Sequence, residues 1–369
     1  MTMNFLSHVI KKELLKKDWF TGAFPVPSSL ILSDTSVDVS DSLLRFFECS
    51  RKRGVCIPKD FGTLPLPRIH TAVDSTKARE ETSLAIRNWA KNRKQKMVRA
   101  IIHEDEAYVF KVTVPTTNPK EIYSAVEGLL EENVPIPPAD CLFEYEIVSL
   151  DETLKEATLA VSVISRSAAS NYLDIFKESG IQVVSLETEA RATAKALFRK
   201  DETGVHAVVV IAKHHSIVFI AEKGSVVFSS SLAVGQTDLT TAVAKTLNIT
   251  QEAAEALKKE KESAGHESDM KLFEAMIPVF GTLRDELGKV LAYWKTQGKK
   301  ERNFIDVSDV ILLGKDSLTT GFAQYISAST KIPAKIGSVW TNTLPPDVSL
   351  PKLHKADSLD YGALVGTIL

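Results

Sequence analysis

Cysteine is scarce in this chain of 369 residues: Cys49, Cys56 and Cys141 are an odd number without C-x-x-C spacing. That excludes a recognisable zinc site and a disulfide framework, and it fits a reducing compartment. The eight histidines include no H-x-x-x-H pair, and the serines no G-x-S-x-G elbow. Neither a helix-borne metalloprotease site nor a hydrolase nucleophile is therefore supported. Neither sign of charge dominates, with 45 Lys+Arg against 47 Asp+Glu and a formal net charge of −2. A general nucleic-acid binder would show a clear basic excess. No run approaches the roughly 20 apolar residues that span a bilayer.

What remains is ordinary globular composition, 44% apolar and 25% charged. The length exceeds what one hydrophobic core serves, so two or more packed units are expected. The N-terminus does not read as a secretory signal. Phe5, Leu6, Val9, Ile10, Leu14 and Leu15 are interleaved with Lys11, Lys12, Lys16 and Lys17. That spacing predicts an amphipathic basic helix. Residues 1–20 then suit an anionic membrane surface or a partner, or form a solvated extension. The expected compartment is the cytosol.

The chain repeats one grammar twice. A strand at Val37–Val39 and a strand at Leu43–Cys49 precede a charged turn, Ser50-Arg51-Lys52-Arg53-Gly54. Val55–Ile57 follows, with a proline-punctuated exit at Leu64-Pro65-Leu66-Pro67. This is a three-stranded meander. Later, Ala207–Ile211, the polar loop Lys213-His214-His215, Ser216–Ala221, the turn Glu222-Lys223-Gly224 and Ser225–Ser229 repeat the pattern. Asp38 and Val210 are 172 residues apart, a period that means a duplicated domain and not a solenoid. Between them, Ala107–Val114, a helix from Pro119 to Asn133 capped by Asn118, strands Leu142–Val148 and Ala157–Ile164, and a helix from Ala168 to Ser179 closed by Gly180 predict an inserted β-α-β-β-α module. Downstream, helices are expected at Asp238–Leu247 and Gln251–Glu262, with a break at Lys259–Asp269. A long helix with Leu272, Met276, Leu283, Leu287 and Trp294 on one face follows, bent at Pro278. A strand at Val310–Leu313 ends in Gly314, and Tyr361–Leu369 closes the chain.

Duplicated α/β domains, each opened by a strand, a polar loop and a strand, can grip a nucleotide, because successive loop N–H groups make an anion site. Asp38 ends the first such strand, where a carboxylate can hold a magnesium ion or its waters. Ser40, Asp41 and Ser42 supply hydroxyls and amides, and Arg45 a fixed positive charge. The second loop offers Lys213, His214, His215 and Ser216. His214 and His215 point to opposite faces if strand-like, which disfavours shared metal ligation.

Val37-Asp38-Val39-Ser40-Asp41-Ser42-Leu43-Leu44-Arg45 resembles the opening phosphate loop of the actin-like ATPase superfamily. Glu121-Ile122-Tyr123-Ser124-Ala125-Val126, then Leu130-Glu131-Glu132-Asn133-Val134-Pro135-Ile136-Pro137, then Phe143-Glu144-Tyr145, resemble the inserted subdomain of the PilM family of type IV pilus assembly proteins, relatives of FtsA. Ala253-Ala254-Glu255-Ala256-Leu257-Lys258 resembles that family's helix beside the nucleoside. The resemblance spans about residues 37–369. It implies an α/β, actin-like fold of duplicated ribonuclease-H-like domains with an inserted α+β subdomain. The implied boundaries are an extension at 1–36, a first subdomain at 37–105 with 181–203, the insertion at 106–180, a second subdomain at 204–355, and a C-terminal helix, 356–369, returning to the first.

The resemblance also implies ATP and magnesium as ligands, with Gly235, Glu255, Lys258, Gly314 and Lys315 on the nucleotide. Where the family has Asp-x-Gly, however, this chain has Val210-Ile211-Ala212, and its paired glycine is Gly235-Gln236. Binding is expected to be weakened, and hydrolysis slow or absent. The implied partner is the cytoplasmic N-terminal tail of a PilN-like inner-membrane protein, held in a groove between the first and inserted subdomains. That makes the chain a cytoplasmic scaffold, peripheral at the inner membrane, with homo-oligomerisation open and nucleic acid excluded. Competing readings are a nucleotide-free pseudo-ATPase scaffold and a sugar-kinase-like phosphotransferase.

Overall fold

The structure is a computed structural model that describes residues 33–40, 43–52, 55–67, 75–264, 270–298, 304–343 and 353–369. The predicted N-terminal helix, Asp41, Ser42 and the Arg53-Gly54 turn lie outside those residues. Strand β1 (Thr35–Ser40) pairs antiparallel with β2 (Leu43–Lys52), which pairs antiparallel with β3 (Val55–Pro65). The meander is as expected, but its outer hairpin is longer. Arg51, read as part of a turn, stays in β2, where it pairs with Asp34 at 2.7 Å and donates to the Ile368 carbonyl at 2.6 Å. Pro65 ends β3, a position at the sheet's edge where its missing N–H costs nothing.

Helix α1 (Ser75–Arg93) leads into β4 (Met97–Ile102), parallel to β1. The chain then departs through β5 (Ala107–Val114), α2 (Pro119–Asn133), β6 (Cys141–Asp151) and β7 (Glu156–Ser165). These strands form their own antiparallel sheet in the order β5-β7-β6. The Asn118 side chain accepts from the Lys120 N–H, Pro119 opens α2, and Ile122, Val126 and Leu130 bury one stripe against that sheet. Helix α3 (Arg166–Glu178) follows and ends as predicted: Gly180 N–H donates to Lys177 O and Ile181 N–H to Phe176 O. Its Phe176 packs with Val37, Ile86 and Trp89, in the core beneath β1. Strand β8 (Gln182–Thr188) then joins β4, giving the first sheet the order β3-β2-β1-β4-β8.

After α4 (Glu189–Leu197) the same plan is run again. Strands β9 (Val205–Ile211), β10 (Ser216–Glu222) and β11 (Ser225–Leu232) form the second meander. Helices α5 (Gln236–Leu247), α6 (Gln251–Ala264) and α7 (Met270–Gly298) follow. Helix α6 continues past Lys259, where a break was expected, and α7 runs unbroken through Pro278. Strand β12 (Asp309–Leu313), α8 (Phe322–Thr330) and β13 (Ala334–Ile336) complete a sheet of order β11-β10-β9-β12-β13. Both sheets are a three-stranded antiparallel meander extended by two parallel strands. Asp38 faces Arg45 in one, and Val210 faces Ile217 in the other, at one common offset. The duplication is thus present in register as well as in order.

Short helices α9 (Lys355–Ser358) and α10 (Gly362–Ile368) end the chain. The lobes exchange helices. Ala190, Ala194 and Leu197 of α4 pack on Val208, Val210 and Phe219 of the second sheet, while Leu364, Val365 and Ile368 of α10 pack on Phe47, Cys49 and Ile101 of the first. Each fully buried aliphatic side chain contributes roughly 1.5–3 kcal/mol. This crossing therefore ties the lobes and floors the space between them. The inserted sheet leans on the second lobe as well: Val148 and Ala160 join its core, and Lys111 reaches Glu222 at 2.7 Å above the Trp294 ring. No helix among the described residues is long and apolar enough to cross a membrane.

Candidate functional site

The two hairpins end face to face above the crossed helices. Strand pairing places Arg45 directly opposite Asp38, and its Nε and Nη2 donate to Asp38 Oδ2 at 3.0 and 2.6 Å. His103, just after β4, reaches Asp38 Oδ1 at 3.2 Å. Burial opposes charge on Asp38, but Arg45 and His103 outweigh it and hold the carboxyl well below its ordinary range. Both oxygens of the expected magnesium ligand are thus engaged by protein cations. Among the described residues, no cluster of three or more His, Cys, Asp or Glu is arranged to hold a metal. Ser40 Oγ donates to the Leu43 carbonyl within its own hairpin.

The second turn is polar but also self-satisfied. His215 Nε2 lies 2.7 Å from Glu189 Oε2 at the start of α4, and its ring stacks on His103 with centroids 5.1 Å apart. Burial disfavours a charged His215, but Glu189 raises its pKa nonetheless. His214 meets Thr237 Oγ1 at 3.2 Å, and the buried Ser216 hydroxyl donates to the Val234 carbonyl at 2.6 Å. Gly235 lies so close to this turn that a Cβ would sit 2.6 Å from the Ala212 carbonyl and 2.8 Å from the His215 nitrogen. The next residue crosses the space that a second glycine would leave open. Gln236 Nε2 donates to Ile211 O and to Asp360 Oδ1, both at 2.8 Å.

The remaining expected residues form the opposite wall. Lys315 Nζ donates to Glu255 Oε1 at 2.7 Å, and Thr240 Oγ1 to Glu255 Oε2 at 2.8 Å. Burial favours a neutral Glu255, yet Lys315 and Lys258 draw its pKa down to about 2. Lys258 comes within 3.5 Å of Glu255 Oε2, yet it is not a surface residue. It is 2% exposed and donates to Asp316 Oδ2 at 3.0 Å and to Thr240 Oγ1 at 2.9 Å. Gly314 has φ +91°, and a Cβ there would lie 2.2 Å from the Ile211 carbonyl, so only glycine serves.

Between these walls opens a cleft of about 990 Å³, lined by Leu43, Phe61 and Tyr361 on one side and by Lys213, Thr240, Glu255 and Lys315 on the other. Its size and mixed lining suit a nucleoside. Its deep end does not admit phosphates as it stands. Arg45 and Asp360 close it, and the cavity behind them, bounded by Asp38, Glu189, Val210 and Ala212, measures about 20 Å³. That is room for one water. His103, Glu189, Asp316 and Asp360 were not among the sequence-derived site residues, and Gln236 was noted only as standing where the family has a second glycine. The four come from different parts of the chain, and no local spacing marks them.

The family profile of the type IV pilus assembly protein PilM matches residues 36–363. A solved PilM-PilN type IV pilus biogenesis complex superposes with TM-score 0.70 at 16% identity, covering 91% of this chain and 98% of that one. MreB5 of Spiroplasma citri bound to ADP superposes with TM-score 0.50 at 15% identity, covering 90% and 94%. Among curated proteins, none matches the chain in sequence. The duplicated sheets and crossed helices are therefore those of the actin-like ATPase fold, and the chain belongs to the type IV pilus assembly protein PilM family.

Proposed function

We propose that this chain is a cytoplasmic scaffold of a type IV pilus or related secretion or competence machine. In this reading it docks under the inner membrane by holding the cytoplasmic N-terminal tail of a PilN-like protein. The observation that carries it is the family match over residues 36–363, supported by the likeness to a PilM-PilN complex. The edges of two sheets support this reading of an extended tail: β8 and β6 are outer strands of their sheets, and Arg191 bridges them. Its Nε lies 2.8 Å from Glu146 and 3.5 Å from Glu187, and its Nη1 2.5 Å from Glu144. Outer strands offer unpaired main-chain groups to an added strand, and such a charged seam can select the tail's sequence.

The subdomain boundaries expected from sequence, self-association, and lipid contact through residues 1–20 belong to the same proposal. So does nucleotide as an effector, acting only as far as it prefers one state of the cleft. In this reading turnover is slow or absent, since Val210 and Ala212 stand where the family has a carboxylate and a glycine.

The test is fluorescence anisotropy with a labelled peptide of the cytoplasmic N-terminal tail of a PilN-like protein, with and without MgATP. Saturable binding that weakens at least about tenfold on Arg191→Glu is expected. Absence of binding in both conditions overturns the scaffold reading. A phosphate-release assay above background would favour the phosphotransferase reading instead.

A further inference from the structure

The cleft ends where a phosphate-binding cleft should open, and what closes it is part of the chain. Asp360, between the short helices α9 and α10, is partly buried at the cleft floor. Its Oδ1 accepts from the Lys315 backbone N–H at 2.9 Å and from Gln236 Nε2 at 2.8 Å, and its carbonyl accepts from Arg45 Nη1 at 3.2 Å. A backbone amide, a side-chain amide and a guanidinium are the donors that phosphate oxygens use. Here they converge on one carboxylate-bearing residue. Gln236 is fixed in turn by its second bond, to Ile211 O. Burial raises the Asp360 pKa even against Arg45, the Lys315 amide and Gln236, so this anion sits where water solvates it poorly.

We propose that Asp360 is a built-in occupant of the cleft's anion seat, latched by Gln236, so that any phosphate-bearing ligand must displace a carboxylate of the chain itself. The proposal rests on reading the cleft as descended from a nucleotide site. It adds that the empty-cleft state is self-liganded and that the scaffold holds its lobes together without an effector. A polyanion entering the wild-type seat meets the Asp360 carboxylate, whereas Asp38 and Glu189 at the same small cavity are already paired with Arg45, His103 and His215. One pair of like charges about 5 Å apart at an effective dielectric near 20 repels enough to weaken binding by about two orders of magnitude.

The experiment is isothermal titration calorimetry of the full chain with MgATP, and separately with pyrophosphate as a phosphate-only probe. Asp360→Asn keeps the acceptor for both amides and the backbone carbonyl for Arg45 while removing the charge. Gln236→Gly removes the latch and leaves the carboxylate. Both variants are checked for native circular dichroism. At least about tenfold tighter binding of either probe by either variant is expected, and a merely structural role for these residues cannot produce such a gain. Equal or weaker binding by both folded variants overturns the proposal. The tail-peptide titration, run on the same samples, is a separate readout: retained peptide binding with no gain in anion affinity leaves the scaffold reading standing and removes only this one.

Discussion

Replacing Lys258 by methionine is a direct probe of how the cleft wall is held. Lys258 on α6 and Asp316 after β12 are 2% and 1% exposed, with Nζ 2.9 and 3.0 Å from the two carboxylate oxygens. Only Oδ2 takes an aligned hydrogen bond. Burial raises the Asp316 carboxyl to about 6, against the opposing pull of Lys258 and Lys315. Removing one partner of such a pair costs about 3–5 kcal/mol while the other stays charged. Asp316 has an escape, because it can protonate. Its folded pKa lies above the ordinary 3.8, so its contribution is fullest below pH 4 and is lost as pH rises through 6.

Without Lys258 the folded pKa moves higher still, and the loss continues beyond pH 6 at about 1.4 kcal/mol per pH unit. The stability gap between wild type and Lys258→Met should therefore grow by about 2–3 kcal/mol from pH 6 to pH 8. Urea unfolding midpoints at the two pH values measure it, and Asp316→Asn in the Lys258→Met background should remove the growth. A gap independent of pH would show that Lys258 works by packing alone, and the charge argument would fail.

Two further outcomes follow from the hairpin geometry. Burial disfavours a charged His103, but Asp38 outweighs it and raises the pKa to about 9, so its stabilisation is full below pH 6.5 and lost as pH rises through 9. Thermal melts of wild type should therefore fall by at most about 3 kcal/mol across that window, and those of His103→Gln should stay flatter. Gly314→Ala should destabilise by about 2 kcal/mol or more, from the positive φ and from the collision with the Ile211 carbonyl. An unchanged melting temperature would contradict that backbone geometry.

Local chemistry made part of this protein readable in advance. The two meanders are written in alternating apolar runs and polar turns, α2 in its Asn118-Pro119 start and its apolar stripe, and the end of α3 in Gly180. These depend on interactions within a few residues, which is why one chain suffices to see them. Their repetition made the duplicated fold visible, and the inserted module carried the family likeness. Elements such as α1, β4 and β8 were not read: β4 is a short, almost wholly buried run, and β8 is a half-buried outer strand, so each takes its place from pairing with a distant strand more than from local pattern.

The site divides in the same way. Val210, Ala212 and Gly235-Gln236 raised the expectation of an altered phosphate end. That Asp38 is spent on Arg45 and His103, that Lys258 is buried on Asp316, and that Asp360 fills the anion seat were decided only by tertiary contacts. Asp38 meets Arg45 through hairpin register, seven residues away, but His103, Asp316 and Asp360 reach their partners across tens to hundreds of residues, and no periodicity in a linear chain records which charges such long-range packing will bring together.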